Sequence, residues 1–317
     1  MIGLGQIGMG YDFILDPDEF VLSHAQALSS HGEFELAGGV DGDPVRRKNF
    51  ISKFDRPAYK DLTEALQAIR PDIVVIATPS NSHGEVLEDV LNQITPKAIV
   101  CEKPLDISLE VAQRMVSLCK KRGVPLFVNY IRRSDPGVLK VKAMIEQNVI
   151  RSPIKAVVWY SKGLINNGSH MVNLLEYWLG NVVSGEIISE SSVLDQIDPE
   201  PDFKMQFKKG SAIFCAAWEE YYSHISIELL SGSGRLFYSG GGNSITWQGV
   251  TPDSGEKVSQ ILSDIIVDVP SELDRYQYIF ADNLARALND EKHNICMGHE
   301  ALTTLTNISK IIEKRII

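Results

Sequence analysis

The segment Gly3-Leu-Gly5-Gln-Ile-Gly8 constrains this chain more than any other. Three glycines at this spacing suit one kind of turn. The first makes the bend, the second lets backbone approach a pyrophosphate, and the third lets a helix pack close to a strand. A helix that begins there offers N–H groups and a favourable dipole to phosphates. Such a turn belongs after the first strand of an open parallel sheet, and the following 120 or so residues agree with that. Glu35–Val40 reads as a strand that ends at Asp41, and Asp72–Ala77 is the nearly pure apolar run of a strand buried on both faces. Lys97–Cys101 and Val124–Asn129 repeat the type. Helical patterns fall between them at Leu62–Ala68, Gly84–Gln93 and Ser108–Arg122, the last with Ser108 as cap and Gly123 as stop. Strands alternating with helices imply a parallel sheet covered on both faces.

Asp41 stands where an acidic side chain would hydrogen-bond the ribose hydroxyls of a dinucleotide. It lies 33 residues beyond Gly8, against a usual offset of about 20. The excess is accounted for if Tyr11–Leu22, with Pro17 and four acidic residues, is an insertion ahead of a helix at Ser23–Ser30. Arg46, Arg47 and Lys48 follow and would suit a ribose phosphate. Asp41 would repel one, so the expected cofactor is NAD, with NADP less favoured. Only Met1 and Ile2 precede Gly3, whereas the first strand of this kind of sheet is central and averages about 5–6 residues. The expectation is a truncated first strand, with Met1 internal to a longer natural chain.

Composition removes other classes. The 317 residues carry 31 basic and 41 acidic side chains, a net charge of −10, which argues against a nucleic-acid partner. No apolar run approaches the ~18 residues of a membrane span, and no signal peptide is visible. Cys101, Cys119, Cys215 and Cys296 stand alone without a CxxC pattern. That fits a reducing cytoplasm and argues against a structural metal or a disulfide framework.

The second half changes character. Ile154–Ser161, Phe203–Lys208, Ser211–Trp218, His224–Leu230 and Arg235–Ser239 read as strands separated by turn-like pieces, which suggests a mostly antiparallel sheet. One helix, His170–Leu179, interrupts the start, and helices return at Leu273–Asn289 and His299–Lys314. The expected domains are 1–131 and 132–317, with the C-terminal helices packing back on the first.

Two motifs carry chemistry. Cys101-Glu102-Lys103-Pro104 ends a buried strand at the carboxyl edge, where open α/β sheets bind ligands. A lysine there can touch a substrate, and desolvation together with a nearby nicotinamide cation would lower its pKa toward proton transfer. Asn166-Asn167-Gly168-Ser169-His170 leads into the apolar helix and projects a histidine from its start.

Taken in order, Gly3–Gly8, Ala77–His83, Glu102-Lys103-Pro104, Val128-Asn129-Tyr130 with Arg132-Arg133, Gly168-Ser169-His170 and Leu273–Tyr276 resemble the glucose–fructose oxidoreductase/inositol dehydrogenase (Gfo/Idh/MocA) family along essentially the whole chain. The resemblance implies an α/β plus α+β architecture: an N-terminal Rossmann domain and a C-terminal open-faced, mostly antiparallel β-sheet domain. It implies hydride transfer between NAD and a secondary carbinol of a sugar, cyclitol or nucleotide sugar. Lys103 would hold the reacting hydroxyl and His170 would act as acid/base. Gly3, Gly5, Gln6, Ile7, Gly8, Asp41, Thr78, His83, Glu102 and Asn129 would hold the cofactor. Arg132, Arg133, Lys162, Asn166 and Asn167 are candidates for the substrate side, the basic three being equally readable as solvated charges. Many family members carry Asp four residues before this histidine and three after it; here Asn166 and Asn173 stand instead, which shifts weight to Lys103. The alternative is a catalytically weak, dinucleotide-binding regulatory protein of the same fold. The one-sided second sheet would need covering, so a homo-oligomer through that face is expected.

Overall fold

A computed structural model describes residues 1–190, 198–253 and 260–313. It divides into two compact units. Met1–Ser134 and Asp274–Thr303 form one, and Asp135–Leu273 with the chain from Thr304 onward forms the other.

In the first unit, strands β1 (Gly39–Val40), β2 (Ala58–Tyr59), β3 (Ile73–Ile76), β4 (Ala98–Cys101) and β5 (Leu126–Val128) are parallel. Ile2 bridges Val40 on one side and Ile76 on the other. The resulting order, β2-β1-Ile2-β3-β4-β5, is that of a doubly wound dinucleotide fold. The helices are α1 (His24–Ser30), α2 (Pro44–Phe54), α3 (Leu62–Ile69), α4 (His83–Gln93) and α5 (Leu109–Arg122). Their starts follow side-chain chemistry: Ser23, Asp43, Asp61 and Ser108 each accept a backbone N–H of the first turn.

The strand expected at Glu35–Val40 is paired as strand only over Gly39–Val40. Its ladder is limited by what lies beside it: two residues of β2 and the single bridge from Ile2. Beside Glu35–Gly38 lies a cavity of about 660 Å³, lined by Met1, Ile2, Phe34, Leu36 and Val74 among others.

In the second unit, β6 (Ile154–Tyr160), β7 (Val182–Ser189), β8 (Asp202–Phe207), β9 (Gly210–Ala216), β10 (Ser226–Ser231), β11 (Gly234–Ser239), β12 (Ser244–Pro252) and β13 (Gln260–Asp268) form one sheet. Its order is β13-β12-β11-β10-β6-β9-β8-β7. Among the described residues, only β6 and β9 of this sheet pair in parallel. Burial alternates residue by residue along β6, so one face is core and the other is not. Helices α6 (Pro136–Glu146) and α7 (Ser169–Leu179) contribute to that core. Met171, Leu174, Leu175 and Trp178 share its interior with Tyr160, Phe203, Phe214 and Tyr238.

The segment 274–303, placed in the second domain with its helices expected to pack back on the first, groups with the first. It holds α8 (Tyr276–Leu288), strand β14 (Cys296–Met297) and the start of α9 (Gly298–Ile312). The physical reason is burial and pairing. Phe280, Leu284 and Ile295 join the core of Val75, Val100 and Phe127, and β14 adds an antiparallel strand beside β5. The expected end of the last helix, Lys314, lies outside the described residues.

Candidate functional site

The glycine turn is sterically required. Gly3 sits at φ +92°, and a Cβ there would lie 2.5 Å from the Ala77 carbonyl oxygen. A Cβ on Gly8 would lie 2.3 Å from the Gly3 carbonyl oxygen. Gly5 differs: within 4 Å a Cβ would meet only Arg46 Nη1, at 3.8 Å. The space above it is a pocket of about 380 Å³, lined by Gly5, Asp41, Arg46, Thr78 and Pro79 among others.

The helix start expected at the glycines is a five-residue π turn, Gln6–Gly10. Tyr11–Leu22 follows it, and α1 starts afterwards, as the spacing of Asp41 required. Asp12 fixes this insertion. Its buried carboxylate accepts from Leu22 N (2.7 Å), Ser23 N (2.9 Å) and Ser23 Oγ. The insertion then docks on the start of α8: Val21 N donates to the Asp274 carbonyl, and Tyr276 Oη to that of Leu22.

Asp41 joins the end of β1 to the glycine turn. Its Oδ2 accepts from Leu4 N and its Oδ1 from Asp43 N, both at 2.8 Å. Arg46 Nη1 lies 3.5 Å from Oδ2. Across the pocket, the Thr78 hydroxyl accepts from Ser82 Oγ. His83 is wholly buried. Its Nδ1 faces the carbonyls of Pro104 and Leu105, and its Nε2 faces that of Thr78 (2.9 Å). It therefore braces the Thr78 loop against the loop after Lys103; both ring nitrogens face backbone carbonyls.

The carboxyl edge of β4 carries the other cluster. Glu102 is buried, and its Oε1 takes hydrogen bonds from His24 Nε2 (2.7 Å) and Asn129 Nδ2 (2.6 Å). Burial alone would push this carboxyl up. The His24 and Asn129 bonds and the Lys103 charge outweigh burial and hold it below the ordinary value. Lys103 follows directly and is half-buried. Sequence reasoning missed His24. It lies 78 residues from Glu102 and looks locally like any first-turn helix residue.

Arg133 was left open as an anion ligand or a solvated charge. It is buried, and its Nη2 donates to Glu300 Oε1 at 2.8 Å. Glu300 also accepts Met297 N, and with Arg133 beside it the carboxyl sits below its ordinary value despite partial burial. Arg132 is half-buried.

In the second unit, Lys162 is exposed at φ +66° and leads into a π turn, Gly163–Gly168. Carboxylates from a distant segment hold that turn. Asp198 accepts from Ile165 N (2.6 Å) and Asn166 N (2.8 Å), and Glu200 accepts from Gly163 N (2.7 Å). Burial raises the Glu200 carboxyl above its ordinary value. Asp198 and Glu200 were not singled out from sequence, because they sit more than 30 residues from the turn they hold. His170 is buried at the start of α7, Asn167 is half-buried, and the Asn166 side chain is exposed. Asn173 is also buried, and its amide donates to Thr304 Oγ1 at 3.0 Å.

The N-terminal unit suits a dinucleotide. Gly5 leaves open the space a side chain would fill, Asp41 lines it, and Asn129 presents a buried Oδ1 that accepts no hydrogen bond. The strand order, glycine turn and acidic strand end together define a dinucleotide-binding Rossmann domain. Residues 1–130 match the family model described as "Oxidoreductase family, NAD-binding Rossmann fold". Over these residues the chain is similar to the Gfo/Idh/MocA family of oxidoreductases.

Among curated relatives, the chain is 26% identical over 261 residues to myo-inositol 2-dehydrogenase of Thermotoga maritima, covering 75% of this chain and 73% of that one. It is 34% identical to D-apiose dehydrogenase of Paraburkholderia graminis, over 42% of this chain and 36% of that one. Among solved structures it resembles the WlbA dehydrogenase of Bordetella pertussis in complex with NADH and UDP-GlcNAcA. The TM-score is 0.76 at 22% identity, covering 99% of this chain and 93% of that one. At that identity the likeness is one of fold.

Proposed function

We propose that the protein is a dehydrogenase or reductase that uses NAD and acts on a secondary carbinol of a sugar, cyclitol or nucleotide sugar. The observation that carries this reading is the cluster at the end of β4: Lys103 follows a buried carboxylate fixed by His24 and Asn129, in the same unit as the glycine turn and Asp41. Such bracing suits a side chain that must meet a reacting atom in one geometry. The names of the inositol, apiose and UDP-sugar relatives point to the same substrate class.

When bound, NAD supplies the hydride acceptor at its nicotinamide ring. As the neutral amine, Lys103 Nζ accepts the substrate hydroxyl's hydrogen bond and takes its proton on oxidation, becoming the ammonium; on reduction the ammonium returns it. His170 is the acid–base candidate of the second unit. Asn173, at one of the two positions where many family members carry Asp, spends its amide on Thr304; it gives an imidazolium no charge support, so Lys103 carries more of the proton transfer. Arg132 and Lys162 are the basic candidates for an anionic part of the substrate.

The outer sheet face supports a dimer. Phe237, Val157 and Ile213 fall in one row across β11, β10, β6 and β9, with Glu228 of β10 between Phe237 and Val157, and the three apolar side chains are each 37–42% exposed. A second copy of this face would cover them. A light-scattering mass of one chain would refute this part.

The test of the activity is NAD reduction, read at the nicotinamide absorbance, across a panel of sugars, cyclitols and nucleotide sugars. Turnover of at least one member, lowered by ~10²–10⁴ in Lys103→Ala, is expected. Tight NADH binding with no turnover on any member would favour the regulatory reading instead.

A further inference from the structure

We infer that Arg46 relaxes cofactor choice at the Asp41 pocket, so that NADP is accepted beside NAD. This rests on the dinucleotide reading above and goes beyond it. An acidic residue at this strand end is expected to repel a 2′-phosphate, but here the carboxylate is engaged by backbone N–H groups and faced by the Arg46 guanidinium. Both Asp41 oxygens are committed to backbone, Oδ2 to Leu4 N and Oδ1 to Asp43 N. Its side chain is only 10% exposed, whereas that of Arg46 is 51% exposed and also lines the pocket. The more exposed charge at this pocket is therefore the cation.

Arg46 is also available. Its Nη1 lies 3.5 Å from Asp41 Oδ2 and its Nε 3.6 Å from Asp43 Oδ2. Both are ion-pair distances too long for good hydrogen bonds. A phosphate would offer the guanidinium shorter, bidentate bonds than it now makes. Its Nη1 already lies 3.8 Å from where a Gly5 Cβ would be, above the turn expected to carry the pyrophosphate. The neighbouring Arg47 is not equivalent: its Nη1 donates to the carbonyls of Asp41 (2.7 Å) and Gly42 (2.9 Å) and so holds the loop. Asp43, 44% exposed, is the remaining acidic group here, and it caps α2 through Val45 N. Two carboxylates and two guanidiniums leave the loop near neutral, which removes most of the penalty a doubly charged phosphate would meet.

The experiment is fluorescence titration of the full chain with NADH and with NADPH, for the unmodified protein, Arg46→Gln and Arg46→Lys. The unmodified protein should bind NADPH within about tenfold of NADH. Arg46→Gln should widen the NADPH:NADH ratio of Kd values by about ten- to a hundredfold, the range of a charge-assisted bond. Arg46→Lys keeps the charge without the fork and should fall between. NADPH affinity should also fall more steeply with salt than NADH affinity. A gap beyond about a hundredfold in the unmodified protein, or a ratio that Arg46→Gln leaves unchanged, would overturn the inference. Failure of the unmodified protein to bind either nucleotide would instead overturn the dinucleotide reading.

Discussion

Replacing His24 with leucine removes a short contact from a buried carboxylate. His24 Nε2 and Glu102 Oε1 are 2.7 Å apart, with side chains 3% and 10% exposed. What remains on Glu102 is Asn129 Nδ2 at 2.6 Å and a long contact from Lys103 N at 3.3 Å. A hydrogen bond to a charged group contributes about 1.5–3 kcal/mol, and breaking a buried pair by removing one partner costs about 3–5 kcal/mol. Because Asn129 still serves the same oxygen, the expected loss is roughly 2–4 kcal/mol. In a unit of this size that lowers Tm by about 4–16 °C.

The assay is a thermal melt of His24→Leu beside the double variant His24→Leu/Glu102→Leu. Removing both partners leaves no buried charge, so the double variant should melt above the single one. The pH dependence has a definite sign. Glu102 titrates lower in the folded state than its ordinary value. Its stabilisation is therefore present above about pH 4.3, the unfolded value, and is lost as pH falls through the folded value. His24→Leu should lose less on acidification than the unmodified protein. Equal melting of His24→Leu and the unmodified protein at neutral pH, or a double variant that melts lowest, would refute the reasoning.

Lys103→Ala should lower turnover by ~10²–10⁴, the range of a positioned acid–base group, with NADH affinity within a few-fold by titration. His170→Ala should cost less than Lys103→Ala in kcat, because Asn166 and Asn173 supply no carboxylate to support its charge. Gly3→Ala should destabilise by roughly 2–5 kcal/mol and weaken NADH binding, since it adds positive-φ strain and a contact at 2.5 Å to Ala77; a melt and a titration check both. Arg133→Ala should destabilise by about 1–3 kcal/mol by leaving Glu300 without its guanidinium partner, with the difference from the unmodified protein shrinking in acid, where Glu300 protonates.

Much of the first unit was legible because its signals are local. Ser108 and Gly123 bound α5 as cap and stop, and α1 begins where the displaced Asp41 required it. Ile154–Tyr160 alternates in burial although its sequence is almost wholly apolar, so its β-branched and aromatic content, not a period of two, marks it as a strand. The missed strands β7 and β13 lack such marks. Strand β13 has almost no buried residue on either face, and β7 has none below intermediate exposure, so neither shows a period of two. Helix α2 carries the Asp43 cap, but with only Phe50 buried it has no clear apolar stripe. At the site, the glycines, Asp41 and Lys103 advertise themselves. His24 and Glu300 do not, because each acquires its role from a partner 78 or 167 residues away. Arg133 stayed open between an anion ligand and a solvated charge for the same reason: its partner comes from the C-terminal segment that folds back into the first unit.

The most direct test of the account is isotopic. A turned-over substrate deuterated at the carbinol carbon is incubated with NAD and the full chain, and the reduced cofactor is analysed by mass spectrometry. Direct hydride transfer predicts one deuterium on the nicotinamide ring of the product NADH, with Lys103→Ala giving the same label far more slowly. NADH formed without deuterium would contradict the proposed transfer from the carbinol carbon.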